Sequence, residues 1–247
     1  MRVAVAGGTG LVGKLVVAEL DAAGHEPVVL ARSTGVDLVS GDGLPGRLAG
    51  CAEIVDVTNI VTLRRRQAIG FFAATAHNLV TAGAEAGVRQ VITLSIVGID
   101  DVDLGYYAGK RTQEEVVRNG PLPWSILRAT QFHQFPETLI DDTRGPFVIV
   151  PSSLSQPVAA AEVARALVAQ VGQEPAKYLP PIAGPETMRM PDMARQLVRA
   201  KGLRKVVVPV RLPGRVGRGM AGGALLPHEP YTQGTTTFAQ YLERSFA

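Results

Sequence analysis

Apolar positions along this chain follow two periods in turn. Val3, Ala4, Val5 and Ala6 form a short unbroken apolar run of the kind that fills a buried strand, and an apolar helical run at 15–20 follows after a glycine-rich turn. Further strands are predicted at 26–31 (EPVVLA), 36–39, 51–57 (CAEIVDV), 88–96 (VRQVITLSI) and 124–128. Between them, 69–83 places Phe72, Ala76, Leu79 and Val80 at helical spacing, 44–50 reads as weak helix or loop, and 113–119 predicts a helix closed by Gly120 and Pro121. Trp124 reads as core packing. Past Phe135 the pattern loosens. It predicts a strand at 147–150, an alanine-rich helix at 160–171 and a return to the sheet edge at 178–183. A helix at 190–200, a short strand at 206–210 and a closing helix at 236–245 follow.

Such alternation of strand and helix predicts an α/β, Rossmann-like doubly wound parallel sheet with right-handed crossovers. Residues 1–134 are expected to form the core. Residues 135–247 are expected to form a smaller substrate-binding lobe, a lid that partly returns to the core sheet.

Composition narrows the picture. Of 247 residues, 46% are hydrophobic and 19% charged, which is globular and not disordered. The net charge is only +3, and the basic residues are scattered apart from Arg64-Arg65-Arg66 and a loose set from Arg204 to Arg218. Both clusters read as solvated surface, so no nucleic-acid partner is expected. The single cysteine, Cys51, excludes an intrachain disulfide and a thiolate metal site, and reads as a small buried apolar residue. No histidine cluster suggests a metal. Asp100, Asp101 and Asp103 lack the glycine and glutamate of a calcium loop and read as solvated. No apolar stretch reaches the ~18 residues of a membrane span. A cytoplasmic protein acting on a small molecule, monomeric or homodimeric, is the expectation. The helices at 69–83 and 106–119 are candidates for pairing across a two-fold axis.

The candidate chemistry begins at Gly7-Gly8-Thr9-Gly10-Leu11-Val12-Gly13. Strand, glycine turn and helix in that order are the context of a dinucleotide site. The strand ends at Ala6, so Gly7 should make the turn. Gly10 would let the backbone approach a pyrophosphate, and Gly13 would let the helix lie close to the strand. The helix start, with Leu11 and Val12, offers N–H groups and a positive dipole end to phosphates. The second strand ends in Ala31-Arg32-Ser33-Thr34, without the acid that would accept from the adenosine ribose, and Asp37 comes too late to supply it. Arg32 can pair with an added phosphate, helped by the Ser33 and Thr34 hydroxyls, so NADP(H) is favoured over NAD(H). Asp42 either accepts from an adenine amino group or closes a turn. Thr58, Asn59 and Ile60 lie just past a strand end, near the crevice where ligands sit in open parallel sheets.

Three residues suggest a reaction. Ser95 lies near the end of its strand, placed to anchor a carbonyl oxygen. Tyr106 and Lys110 are four apart, on one face of a helix. The lysine charge is expected to pull the phenol pKa down and ready it for proton transfer while hydride reaches carbon. Lys110 could also hold the nicotinamide ribose. Tyr107 is the alternative phenol, and the lysine spacing selects Tyr106. His133 reads as a packing or surface residue.

The glycine turn, the serine-ended strand and the tyrosine–lysine pair resemble the short-chain dehydrogenase/reductase superfamily. Leu127-Arg128-Ala129-Thr130-Gln131-Phe132-His133 and Ala183-Gly184-Pro185-Glu186 are similar to its NmrA-like atypical branch. The resemblance implies a nicotinamide cofactor, with Thr130, Gln131 and Phe132 lining its nicotinamide end and Thr58 to Ile60 covering the other side. It implies an NADP(H)-dependent oxidoreductase reducing a carbonyl or quinone-like small molecule. The alternative is an NAD(P)-sensing regulatory protein without turnover. A sugar-nucleotide epimerase or dehydratase ranks last, because the short lobe offers no obvious second nucleotide pocket.

Overall fold

The computed structural model describes residues 1–246. In chain order the elements are β1 (Arg2–Ala6), α1 (Leu11–Ala22), β2 (Glu26–Leu30), α2 (Leu44–Leu48), β3 (Glu53–Asp56), α3 (Arg65–Glu85), β4 (Gln90–Ile96), α4 (Gly105–Asn119) and β5 (Trp124–Ala129). Then come α5 (Phe135–Asp141), β6 (Phe147–Pro151), β7 (Leu154–Ser155), α6 (Ala160–Ala169), β8 (Lys177–Tyr178), β9 (Ile182–Ala183) and β10 (Met188–Arg189). The chain closes with α7 (Met190–Ala200), β11 (Val206–Val210), α8 (Gly214–Ala221), β12 (Thr232–Gln233) and α9 (Phe238–Phe246). These elements fall into two units, each discontinuous in sequence. The first holds residues 1–95, 104–128 and 160–179; the second holds 96–103, 129–159 and the stretch from Pro180 onward.

In the first unit the strand order is β5-β4-β3-β1-β2. β1 pairs in parallel with β2 and β3, β3 pairs in parallel with β4, and β8 adds in parallel to β5. Val3, Ala4, Val5 and Ala6 are fully buried, as a strand flanked on both sides requires. Ala4, Ile54, Val91 and Ile126 from the sheet form one core with Leu79 and Val80 of α3 and Val117 of α4. Cys51 is buried in the same core. α6, drawn from beyond residue 134, packs against α1. α3 and α4 lie so close that a Cβ on Gly109 would meet Phe72 and Ala68 at 2.7–2.8 Å. Those two helices, candidates for pairing across a two-fold axis, thus turn this face on each other within one chain.

One expected strand is missing. Residues 36–39 form a turn, and β2 is the edge of its sheet. Asp37 Oδ1 accepts from the Val39 N–H at 2.8 Å, and the Asp37 N–H donates to the Asp42 carbonyl at 3.0 Å. Asn78 Nδ2, reaching from α3, donates to the carbonyls of Leu38 and Val39. Side-chain bonds of this kind satisfy the backbone locally and displace a strand ladder. Only Val36 of the short apolar run is buried.

In the second unit, Ala129 at the end of β5 registers with Ile182 of β9, and β12 pairs in parallel with β9. β6 and β11 form a parallel pair, and β7 and β10 an antiparallel one. Ile140, Val148, Val150, Met193, Leu197 and Phe238 form its core. The pattern of the sequence did not indicate α5 or α8. The sequence of α8, GRVGRGMA, carries three glycines, and packing requires one of them: a Cβ on Gly217 would lie 1.6 Å from the Leu212 carbonyl oxygen. No helix of the described residues is long and apolar enough to cross a membrane.

Candidate active site

The glycine turn carries out the geometry its sequence demands. Gly7 has φ +79°, a left-handed conformation that side chains rarely adopt, and it turns the chain at the end of β1. A Cβ on Gly13 would sit 2.1 Å from the Gly7 carbonyl oxygen, so only glycine lets α1 start this close to the strand. Gly10 caps α1 without a side-chain hydrogen bond, and the first turn carries no acid. The N–H groups of Leu11, Val12 and Gly13 therefore face outward from a cradle without a carboxylate, with Thr9 and Gly10 exposed beside them. This donor set and this absence of side chains fit a dinucleotide pyrophosphate.

At the end of β2, Arg32 and Ser33 are exposed, and neither has a side-chain bond or ion pair among the described residues. Thr34 is already engaged: its Oγ1 accepts from the Ala31 N–H and donates to backbone carbonyls. Asp42 stands within a turn, as one of its two readings has it. Asp42 accepts from Ser40 Oγ at 2.7 Å, inside the turn that replaces the expected third strand.

A buried polar network lies at the end of β3. Asp56, fully buried, accepts from Thr58 Oγ1 at 2.7 Å, from the Thr58 N–H at 3.0 Å, and from Gln113 Nε2 of α4 at 2.7 Å. Gln113 in turn accepts from Lys110 Nζ, which also donates to the Leu94 carbonyl of β4 at 2.6 Å. Lys110 is buried, and its pKa falls to about 8 because desolvation of the ammonium outweighs the attraction of Asp56 and Glu114. One turn earlier on α4, the Tyr106 hydroxyl donates to Asn59 Oδ1 at 2.7 Å. Asn59 Oδ1 also accepts from the Ile60 N–H. The Phe72 ring touches both partners, edge-on to Tyr106 with centroids 5.8 Å apart and 4.9 Å from Lys110 Nζ.

The phenol is not tuned by Lys110 in the way the spacing suggests. Burial, reinforced by Tyr107, pushes the Tyr106 pKa well above its ordinary 10, and Lys110 is not among the charges acting on it. The ammonium is turned to the Leu94 carbonyl and Gln113 instead. Ser95 also departs from expectation: it is 1% exposed, and its Oγ is sealed from solvent without a hydrogen-bond partner. A hydroxyl so enclosed is not presented to a carbonyl substrate in this conformation. Tyr107 is buried in the core, which leaves Tyr106 as the phenol at the strand end.

In the second unit, Thr130 is buried and its hydroxyl donates to the Gln156 carbonyl. Gln131 Oε1 accepts from Ser155 Oγ at 2.7 Å, while its Nε2 is buried without a partner. Phe132 forms a parallel bridge with Val158. His133 is fully buried against Phe238 and Tyr241, a packing residue.

Asp56, Gln113 and Glu114 are functional-site residues that the motifs of the sequence do not single out. An acid closing an apolar run, and polar residues three and four positions after Lys110 on α4, were the available signals. Glu114, buried, receives two bonds from Arg128 at 2.9 and 2.7 Å and one from the Tyr178 hydroxyl at 3.0 Å. This fastens α4 to β5 and β8.

A glycine cradle at the first βα turn of a parallel sheet defines a nucleotide-binding domain of Rossmann type. The chain belongs to the NAD(P)H-binding family, whose model matches residues 7–174. It is 27% identical over 218 residues to the (4-alkanoyl-5-oxo-2,5-dihydrofuran-3-yl)methyl phosphate reductase of Streptomyces griseus, covering 80% of this chain and 73% of the relative. Among solved structures, the UDP-N-acetylglucosamine 4-epimerase of Bacillus cereus superposes with a TM-score of 0.71 at 18% identity, covering 99% of this chain and 94% of that one. The triphenylmethane reductase of Citrobacter sp., complexed with NADP(H), gives 0.68 at 18% identity and 93% coverage of both chains. These likenesses establish the fold.

Proposed function

We propose that this protein is an NADPH-dependent reductase of a carbonyl or quinone-like small molecule, with Tyr106 as the proton donor. The observation that carries the reading is the Tyr106 hydroxyl held at Asn59, past the end of β3, in the unit that holds the glycine cradle. A phenol kept protonated through neutral pH suits reduction better than oxidation. It can give its proton to a developing alkoxide, which is the stronger base. The cofactor, when bound, supplies the hydride. Gly7, Thr9, Gly10, Leu11, Val12 and Gly13 hold its diphosphate, and Arg32 with Ser33 receives the phosphate that distinguishes NADP from NAD. Asn59 Nδ2 has no partner among the described residues and is available to the cofactor. Lys110 acts as a positioning residue that ties α4 to β4. The reductase name of the Streptomyces relative supports this direction of reaction.

The sealed Ser95 hydroxyl favours a second reading, a regulatory protein that binds the nucleotide without turning it over. One experiment separates the two. NADPH is incubated with the protein and a panel of quinones and aldehydes, and nicotinamide absorbance is followed in wild type and Tyr106→Phe. Oxidation by wild type, lost in the variant with binding retained, supports the reductase. Tight binding with no oxidation by any acceptor overturns it in favour of the regulator.

A further inference from the structure

The second unit contains a cavity of about 610 Å³ whose wall carries four arginines and one acid. Arg189 ends β10 and caps α7; Asp192 and Arg195 lie in the first turns of α7; Arg211 follows β11; Arg218 lies on α8. Asp192 is neutralised by Arg195, at 2.6 Å. Arg189, Arg211 and Arg218 form no ion pair or side-chain hydrogen bond among the described residues. Three uncompensated guanidinium groups thus share one concave space. Glycine at 217 lets α8, which carries Arg218, pack closely on Leu212 at the exit of β11. The basic stretch from Arg204 to Arg218, read from sequence as solvated surface, gives two of its arginines to this wall.

We propose that this cavity is a binding site for a phosphorylated small organic molecule. Arg189, Arg211 and Arg218 are exposed, so they reach an incoming anion from the rim of the concave space, and three like charges there raise its local concentration in a salt-sensitive way. The planar fork of arginine matches phosphate oxygens two at a time. The volume is that of a small-molecule pocket, far larger than a bare ion needs. Pro191, Pro209 and Leu212 supply apolar wall for an organic part. The proposal stands independently of the reductase reading, since it concerns binding alone.

The test is calorimetric titration of the full chain, without NADP+ and again saturated with it, so that the glycine cradle cannot be the site observed. The probes are phenyl phosphate, inorganic phosphate and phenol. Wild type is expected to bind phenyl phosphate, more weakly as salt rises. Arg211→Gln/Arg218→Gln should lose about tenfold or more in that affinity, and Arg211→Lys less. Retained NADP+ affinity, or an unchanged thermal midpoint, certifies that the variants fold. The proposal is overturned if wild type fails to bind phenyl phosphate, or if the double variant binds it equally well. Inorganic phosphate binding as tightly as phenyl phosphate would overturn the organic part of the assignment and make this a free-phosphate site. Phenol binding as tightly would remove the phosphate part.

Discussion

The hydroxyl of Tyr106 donates to the side-chain oxygen of Asn59 at 2.7 Å, linking the first turn of α4 to the chain just past β3. The bond fixes the direction of the phenol before any ligand arrives. It also employs the one proton the proposed reaction needs, so a substrate oxygen must replace Asn59 as acceptor. Tyr106→Phe should therefore lower turnover by about a hundredfold or more, the usual contribution of a positioned acid, with nucleotide affinity unchanged. Asn59→Ala should leave the phenol unoriented and reduce turnover less. Steady-state kinetics combined with nucleotide titration measures both. Full activity of Tyr106→Phe would remove the tyrosine from the mechanism.

Lys110 predicts an alkaline rise in stability. Its folded pKa is about 8 against an ordinary 10.5, so between these values the unfolded chain binds the extra proton. Stability therefore increases with pH across that window, and the cost of burying the charge, roughly 3 kcal/mol, is present in full below it. Tyr106 acts in the opposite sense above pH 10, where the unfolded phenol ionises first. Between pH 8 and pH 10, the urea-derived stability of wild type should rise by about 2 kcal/mol more than that of Lys110→Met. Parallel profiles would show that the ammonium is better solvated than its burial implies.

Gly13→Ala tests the cradle. Its methyl would lie 2.1 Å from the Gly7 carbonyl oxygen, a backbone atom that cannot rotate away. Moving α1 off β1 should cost about 2 kcal/mol or more and weaken NADPH binding sharply. At Gly10 the same methyl would have 3.3 Å, so Gly10→Ala should fold nearly as wild type and act chiefly on the nucleotide. Denaturation and binding titrations on both variants distinguish a folding effect from a binding one.

The legible part of this chain was the part governed by local rules. The Val3–Ala6 run, the glycine turn and α1 follow from strand burial, positive φ and close helix approach, each requiring particular residue types at fixed positions. Residues 36–39 have the apolar character of a strand, but the Asp37 side chain bonds the Val39 N–H and makes a turn of them. In the site, the i, i+4 spacing of Tyr106 and Lys110 correctly places both on one side of α4, against Phe72. Spacing does not show where an ammonium points. The Leu94 carbonyl and Gln113 draw Lys110 away from the phenol, and that depends on how α4 docks on β4. The arginine cavity was illegible for the same reason: Arg189 and Arg211 are distant in sequence, and folding alone brings them to one wall.

Glu114 should prove structural. Its carboxylate is buried and takes two bonds from the largely buried Arg128 guanidinium, so Glu114→Gln removes the negative charge those bonds are made to. A loss of about 3 kcal/mol is expected, at the lower end for a broken buried pair because Arg128 retains some solvent contact. Adding Arg128→Met should restore part of it, since the desolvated charge is then removed together with its carboxylate partner. A double variant as unstable as the sum of the two single variants would deny the coupling.

The proposed preference for NADP rests on Arg32. No acid stands at the end of β2, and the Arg32 guanidinium is exposed, without a protein partner among the described residues. A free guanidinium at that position gains a charge-assisted pair when the adenosine ribose carries a phosphate and gains nothing from a bare hydroxyl. Such a bond is worth about 1.5–3 kcal/mol, which corresponds to a preference for NADPH over NADH of about tenfold to a hundredfold. Arg32→Ala should abolish the preference by weakening NADPH while leaving NADH unchanged. Raised salt should narrow the wild-type difference, because the pair is solvent-exposed. Fluorescence titration of both nucleotides against both proteins supplies the four dissociation constants. A wild type that prefers NADH, or a variant that loses both nucleotides equally, would remove Arg32 from cofactor selection.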